Sequence, residues 1–296
     1  MITDVESATP ALCRLQLGSE LRRLRLEADL SGAYVVRRLL WSPSKLTRLE
    51  TGENATVEQT DVMALCEMYG AGDETREILM GYAAVTKTRK DWWQSPEYRP
   101  AIKPGFKAFL GLEATAASLQ NYEAEYVPGL LQTEAYVRVI HQRAHQGLNS
   151  DEVNRIVAVR LNRQEVLHRK RNPLKYTAIV NEAVLRRRIG SGDLMQEQLA
   201  HIVTLAETLP NIRVQVVPFS AGAHSGMNGG FALLRFPDGA GPRSILFLEN
   251  LADGWVSRRE HSVSVYADAF DDLQALAPGP EQSLTMIKKA IKEHSG

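Results

Sequence analysis

Residues 42–50, SPSKLTRLE, set Ser44, Lys45, Thr47 and Arg48 around Leu46 and Leu49. Those four polar types suit a polyanion. Lys and Arg donate to phosphates and guanine edges, and Ser and Thr meet bases or phosphates. Ser42-Pro43 is a helix start, because Ser caps and Pro fits the first helical position. The helix end so formed can face a phosphate. Arg37 and Arg38 stand one element earlier, where they would touch nucleic-acid backbone. Between Arg14 and Arg48 eight Arg and Lys stand against Glu20, Glu27 and Asp29, whereas the whole chain carries 35 residues of each sign. A regional cationic excess in a neutral chain is the electrostatic footprint of a DNA-facing patch. The bland alternative is a helical bundle with a solvated face.

These side chains need a frame, and residues 21–49 supply one as three short helices. Leu17, Leu21, Leu24 and Ala28 share one side of the first. Ser31 is the expected N-cap of the second, which turns Val35, Val36 and Leu39 inward. Leu40 and Trp41 lead the chain out of it. Leu46 and Leu49 are the buried side of the third.

With those residues in view, residues 15–69 resemble the helix-turn-helix domain of the phage-repressor-like (XRE) family. The matching runs are LGSELRRLRLEADLS, WSPSKLTRLETG and TVEQTDVMALCEMYG. The resemblance implies that 42–50 is a recognition helix and that Ser44, Lys45, Thr47 and Arg48 meet DNA. Thr56 and Gln59 have capping-box spacing ahead of a fourth helix. Two positions depart from the family pattern. Gly32 replaces a polar residue, often Gln. Leu40 replaces the Gly of the turn, which implies either a turn without positive φ or one strained by a branched residue.

Length and composition bound the rest. The 296 residues suffice for one such module and a second domain of ordinary size. With 44% hydrophobic and 24% charged residues, the chain has the composition of a soluble globular protein. Two cysteines exclude a disulfide framework; Cys66 is expected buried and Cys13 at the surface. No leader and no apolar run of membrane-spanning length is visible, so the cytoplasm is expected. His141 and His145 share a helix face but lack a carboxylate or thiol partner, so no metal site and no cofactor is expected.

Along the chain, residues 1–84 are expected to form a polar arm (1–12) and a five-helix DNA-binding domain, the fifth helix at 73–84. Residues 85–105 are an aromatic and basic linker whose Trp92 and Trp93 pack on the next domain. Residues 106–296 form an α+β domain with a small central sheet of about four strands. Helices are expected at 106–122, from Thr133 to about 145, and at 151–169, 194–209, 260–277 and 283–293. Strands are expected at 175–180, 212–218, 231–236 and 244–248. Arg155, Arg160, Arg163, Arg169, Lys170 and Arg171, on and just after the 151–169 helix, are expected to form a solvated face or to meet acidic side chains within the domain; a second phosphate-facing surface is the alternative. The Gly-rich loop 222–230 lacks the Lys of a phosphate-binding loop and is expected to be flexible, as a mouth over a cavity.

This second part resembles the domain of unknown function DUF5753, through VPGLLQTEAYVR, RLNRQEVLHR, NEAVLRRRIG, MQEQLAHI, NIRVQVVPFSAGAH, GGFALLRF and FDDLQALA. The combination resembles Scr1-type, antitoxin-like transcriptional regulators of actinobacteria, which often accompany a small DUF397 protein proposed as their partner. The resemblance implies a regulator that reads DNA with its first domain and engages a protein or ligand with the second.

An enzyme is not expected. Glu182 and Glu249 end or follow strands, yet a Glu opening a helix is favoured by the helix dipole alone. Ser220, His224 and Ser225 lack a nucleophile elbow. The expectation is a DNA-binding regulator that reads an inverted repeat as a homodimer. The alternatives are an interaction module for a small DUF397-like protein and a sensor of a small-molecule effector.

Overall fold

The structure, a computed structural model, describes residues 9–54, 56–144, 147–170, 172–236, 244–250 and 253–295. Most of the arm (1–8), His145 and Arg171 therefore lie outside the described residues. The chain divides into a compact unit at Met1–Ser95 and a second built from Pro96–Arg235 with Ser244–Gly296.

The first unit is all helix: α1 (Pro10–Glu27), α2 (Gly32–Leu39), α3 (Pro43–Thr51), α4 (Gln59–Tyr69) and α5 (Asp73–Thr88). Leu17, Leu21, Val35, Leu46, Leu49, Val62, Leu65, Leu79 and Tyr82 form one core. Each fully buried leucine there contributes roughly 2–3 kcal/mol. Thr9 caps α1, accepting from the Leu12 amide, so the helix starts inside the stretch expected to be an arm. That extra turn carries Cys13 into the core, 0% exposed, and corrects its placement at the surface. Burial pushes its thiol up to about 11. Glu58, not Thr56, precedes α4, without a side-chain cap. The tryptophan segment belongs to this unit rather than the next. Asp91 there binds the Arg14 guanidinium at 2.8 Å and accepts from the Ala11 amide, tying the segment back to α1.

The second unit is α+β. Its six-stranded sheet has the order β3-β2-β1-β4-β5-β6, from β1 (Ser118–Glu123), β2 (Lys175–Asn181), β3 (Ile212–Val217), β4 (Phe231–Arg235), β5 (Ser244–Glu249) and β6 (Gly254–Ser257). β1, β2 and β3 are parallel, and β4, β5 and β6 continue antiparallel. The helices are α6 (Pro104–Glu113), α7 (Glu134–Ala144), α8 (Ser150–Gln164), α9 (Glu182–Arg186), α10 (Gly192–Thr208), α11 (Glu260–Leu276) and α12 (Pro280–Glu293). Asn149 and Glu152 close a capping box at the start of α8. Phe270 and Leu273 of α11 cover one sheet face through Tyr122, Ile179, Phe231 and Leu246. Leu276, at the end of the same helix, is 38% exposed.

Two differences from the expected elements matter. The single helix expected over 106–122 is α6 followed by β1, which pairs with β2 on one side and β4 on the other. With β6 also unforeseen, the sheet has six strands, not four.

Candidate nucleic-acid interface

α3 opens as its sequence demands: Ser42 Oγ accepts from the Lys45 amide at 3.2 Å, with Pro43 in the first turn. Leu46 and Leu49 bury one side of the helix. Ser44, Thr47 and Arg48 are exposed on the others. Ser44 and Ser42 hydroxyls lie 3.1 Å apart, and Thr47 Oγ1 donates to the Pro43 carbonyl. Arg48 makes no hydrogen bond or ion pair with the described residues, so its five donors face solvent. Arg37 and Arg38 are exposed in the last turn of α2.

Lys45 is held differently. Its Nζ sits 2.8 Å from Asp61 of α4 and 4.0 Å from the centroid of the Trp41 ring. Trp41 and Asp61 thus position a cation of α3, and neither was singled out from the sequence. The one local signal was an aromatic residue four places before a lysine, a spacing that brings side chains together on a helix or its cap.

The frame under α3 is close-packed. A Cβ on Gly18 of α1 would fall 2.3 Å from the Leu49 carbonyl oxygen, so only glycine permits this approach of the two helices. Arg25 forks onto Glu50 at 2.6 and 3.0 Å and gives a third bond to the Leu30 carbonyl at 2.9 Å. One buried side chain therefore links α1, the α1–α2 loop and the end of α3. The α2–α3 turn resolves the choice posed by Leu40. Its φ is +55° and its side chain is 93% exposed. The turn closes on a Trp41 amide to Val36 carbonyl bond of 2.9 Å, the six-to-one bond that ends helices through a left-handed residue.

The other sequence candidates are dispersed. β2 and β5 are separated by β1 and β4, so Glu182 and Glu249 stand about 14 Å apart by strand spacing. Glu182 instead accepts from the Phe219 amide and pairs with Arg186. His224 engages Asn181 through Nε2 and the Gly226 amide through Nδ1, while Ser225 donates to Asp272. That is not a nucleophile and base in line. The Gly-rich loop does border a cavity of about 440 Å³, shared with Tyr266 and Asp268 of α11. No cluster of three or more metal-ligating side chains occurs among the described residues. No helix among them is long and apolar enough to cross a membrane.

A three-helix frame with a capped, cation-bearing third helix, followed by a mixed-sheet domain, defines a helix-turn-helix protein with an α+β C-terminal domain. Comparison with known families agrees at both ends. Residues 16–79 match a helix-turn-helix domain, and residues 106–289 match the domain of unknown function DUF5753. The second match covers more than half of the chain, which belongs to the DUF5753 family. Searches of curated proteins and of solved structures gave no match.

Proposed function

We propose that this protein is a sequence-specific DNA-binding transcriptional regulator. It reads an inverted repeat as a homodimer and is controlled through its C-terminal domain. The reading rests on one observation: α3 presents Ser44, Thr47 and Arg48 outward from a closely packed helix, with Arg48 committed to no partner among the described residues. Arg48 and Lys45 carry the base or phosphate contacts, Ser42, Ser44 and Thr47 tune them, and Arg37 and Arg38 touch the backbone. Lys45 reaches DNA from its seat between Trp41 and Asp61, so it arrives already oriented. Two recognition helices about one duplex turn apart would match two half-sites.

The resemblance to Scr1-type, antitoxin-like actinobacterial regulators supports control by a small DUF397-type protein. It also supports an alternative, in which binding that protein is the main role and DNA binding serves autoregulation. Co-purification with such a protein favours both over an isolated repressor.

The test is a gel-shift titration at two salt concentrations, on the duplex upstream of the gene. Arg48→Ala is expected to weaken binding. If Arg48 meets phosphate, all sequences weaken alike and the salt slope falls by about 1; if it reads a base, discrimination at one position drops by about 1–3 kcal/mol. Undiminished binding by both Arg48→Ala and Lys45→Ala overturns the assignment.

A further inference from the structure

The two faces of the central sheet are made of different material. Tyr122 and Leu246 turn toward α11 and an apolar core. Strand alternation turns their neighbours Glu123, Phe247 and Glu249 to the opposite face. On that side Glu123 and Glu249 lie within electrostatic reach of Arg160 and Arg163, one turn apart on α8, whose guanidinium groups both lie over the ring of Phe106, while Phe247 stacks on Phe109. A face that served stability alone would be filled with apolar side chains, since buried ion pairs seldom stabilise more than a packed hydrophobic replacement.

The charges in this layer are incompletely matched. Arg163, 5% exposed, forks onto Glu113 through Nε and Nη2 at 2.9 and 2.8 Å. Its Nη1 is buried and has no hydrogen-bond partner. Arg160 is partly buried, with its guanidinium 4.8 Å from the Phe106 centroid, and makes no hydrogen bond with the described residues. Glu249, Glu113 and Glu123 act on it only through space. Both Nη1 atoms converge on one point of the backbone: a Cβ on Gly129 would lie 2.9 Å from that of Arg163 and 3.2 Å from that of Arg160. Guanidinium groups offer donors and no acceptor, so what is missing is an acceptor-rich group between them. Burial lifts the Glu123 carboxyl to about 7, so near neutrality it is partly protonated and repels an incoming anion less. The cluster lies where parallel β1 ends, and open sheets take ligands beyond the carboxyl ends of their parallel strands.

We propose that Arg160 and the Nη1 group of Arg163, which meet beside Gly129, bind an acidic small molecule whose carboxylate or phosphate group accepts hydrogen bonds from both guanidinium groups. Binding at this arginine pair is independent of the role given to α3. Its use as the control on DNA binding rests on the regulator reading above.

The experiment follows thermal unfolding of the full chain in sodium phosphate and in sodium succinate, against sodium chloride at matched ionic strength. At least one probe is expected to raise the melting temperature saturably. Phosphate alone doing so assigns a phosphorylated ligand, succinate alone a carboxylic acid, and both the shared anion chemistry. Arg160→Gln, and Arg160→Lys with the charge kept but the planar fork lost, are expected to shift half-saturation by about tenfold or more. Arg155→Gln, an exposed position of the same helix, responds as the parent does. Arg48→Ala keeps the response while losing duplex, so failure of the DNA reading leaves this site standing. A flat titration with both probes, or an unchanged response in a folded Arg160→Lys protein, overturns the proposal.

Discussion

The two domains use arginine in opposite ways. In the helical unit the buried arginines are matched: Arg14 meets Asp91, and Arg25 meets Glu50 and the Leu30 carbonyl. Arg22, Arg37, Arg38 and Arg48 are exposed and have no partner among the described residues. In the sheet domain Arg138 and Arg186 have carboxylate partners and Arg155 and Arg213 are exposed, but hydrogen-bonding capacity is also left open inside, at Arg163 and the partly buried Arg160. Unmet donors on a surface are satisfied by water and stay available to a large polyanion. Unmet donors in an interior cost free energy until something arrives to fill them. The first arrangement fits recognition of an extended polymer, and the second fits capture of a small molecule.

The sharpest way to break that comparison is to remove the buried carboxylates in parallel. Glu113→Gln leaves Arg163 charged and buried without its partner, and is expected to cost about 3–5 kcal/mol in urea unfolding. Glu50→Gln leaves Arg25 its bond to Leu30 and is expected to cost less, about 1–3 kcal/mol. Equal losses would mean that the two buried arginines are equally well provided for.

A pH titration of stability comes next. The Glu123 carboxyl is raised in the fold from an ordinary 4.5 to about 7 by burial. The folded state therefore holds this proton more tightly than the unfolded chain does. Its contribution is fully present below about pH 4.5 and is lost as pH rises through about 7. Urea unfolding at several pH values should show that decline in the parent protein and a flatter profile in Glu123→Gln.

Two smaller effects probe α3 and the turn before it, and they have opposite signs. Ser42→Ala removes the cap of α3 and is expected to cost about 1 kcal/mol. Leu40→Gly relieves a branched residue at positive φ whose side chain buries almost nothing, and is expected to stabilise by about 1 kcal/mol. Thermal unfolding of both variants checks the pair, and a destabilised Leu40→Gly would mean that the exposed leucine has a contact within the protein.

What was legible in the sequence was local. Ser42, Pro43, Leu46 and Leu49 specify α3 within one short stretch, and its cap and buried side form as that pattern requires. The strain at Leu40 was one of two outcomes already posed by a branched residue at a turn. What was missed depends on distant partners. β1 looked helical beside an alanine-rich run, because its strand character comes from β2 and β4, tens of residues away. Cys13 was misplaced because the helix start at Thr9 was not recognised. Arg160 and Arg163 could be set on one helix, and contact with acidic side chains was among the options. That Glu113, fifty residues earlier, takes one fork of Arg163 and leaves Nη1 bare is a fact of tertiary placement.

The missing side chain at Gly18 has a consequence for how DNA binding could be switched. With the Leu49 carbonyl pressed against the α1 backbone and Arg25 bolting the same junction, α3 has no room to tilt or slide inside its own domain. On the proposed reading, a controlling signal would therefore act from outside this helical frame rather than by reshaping it.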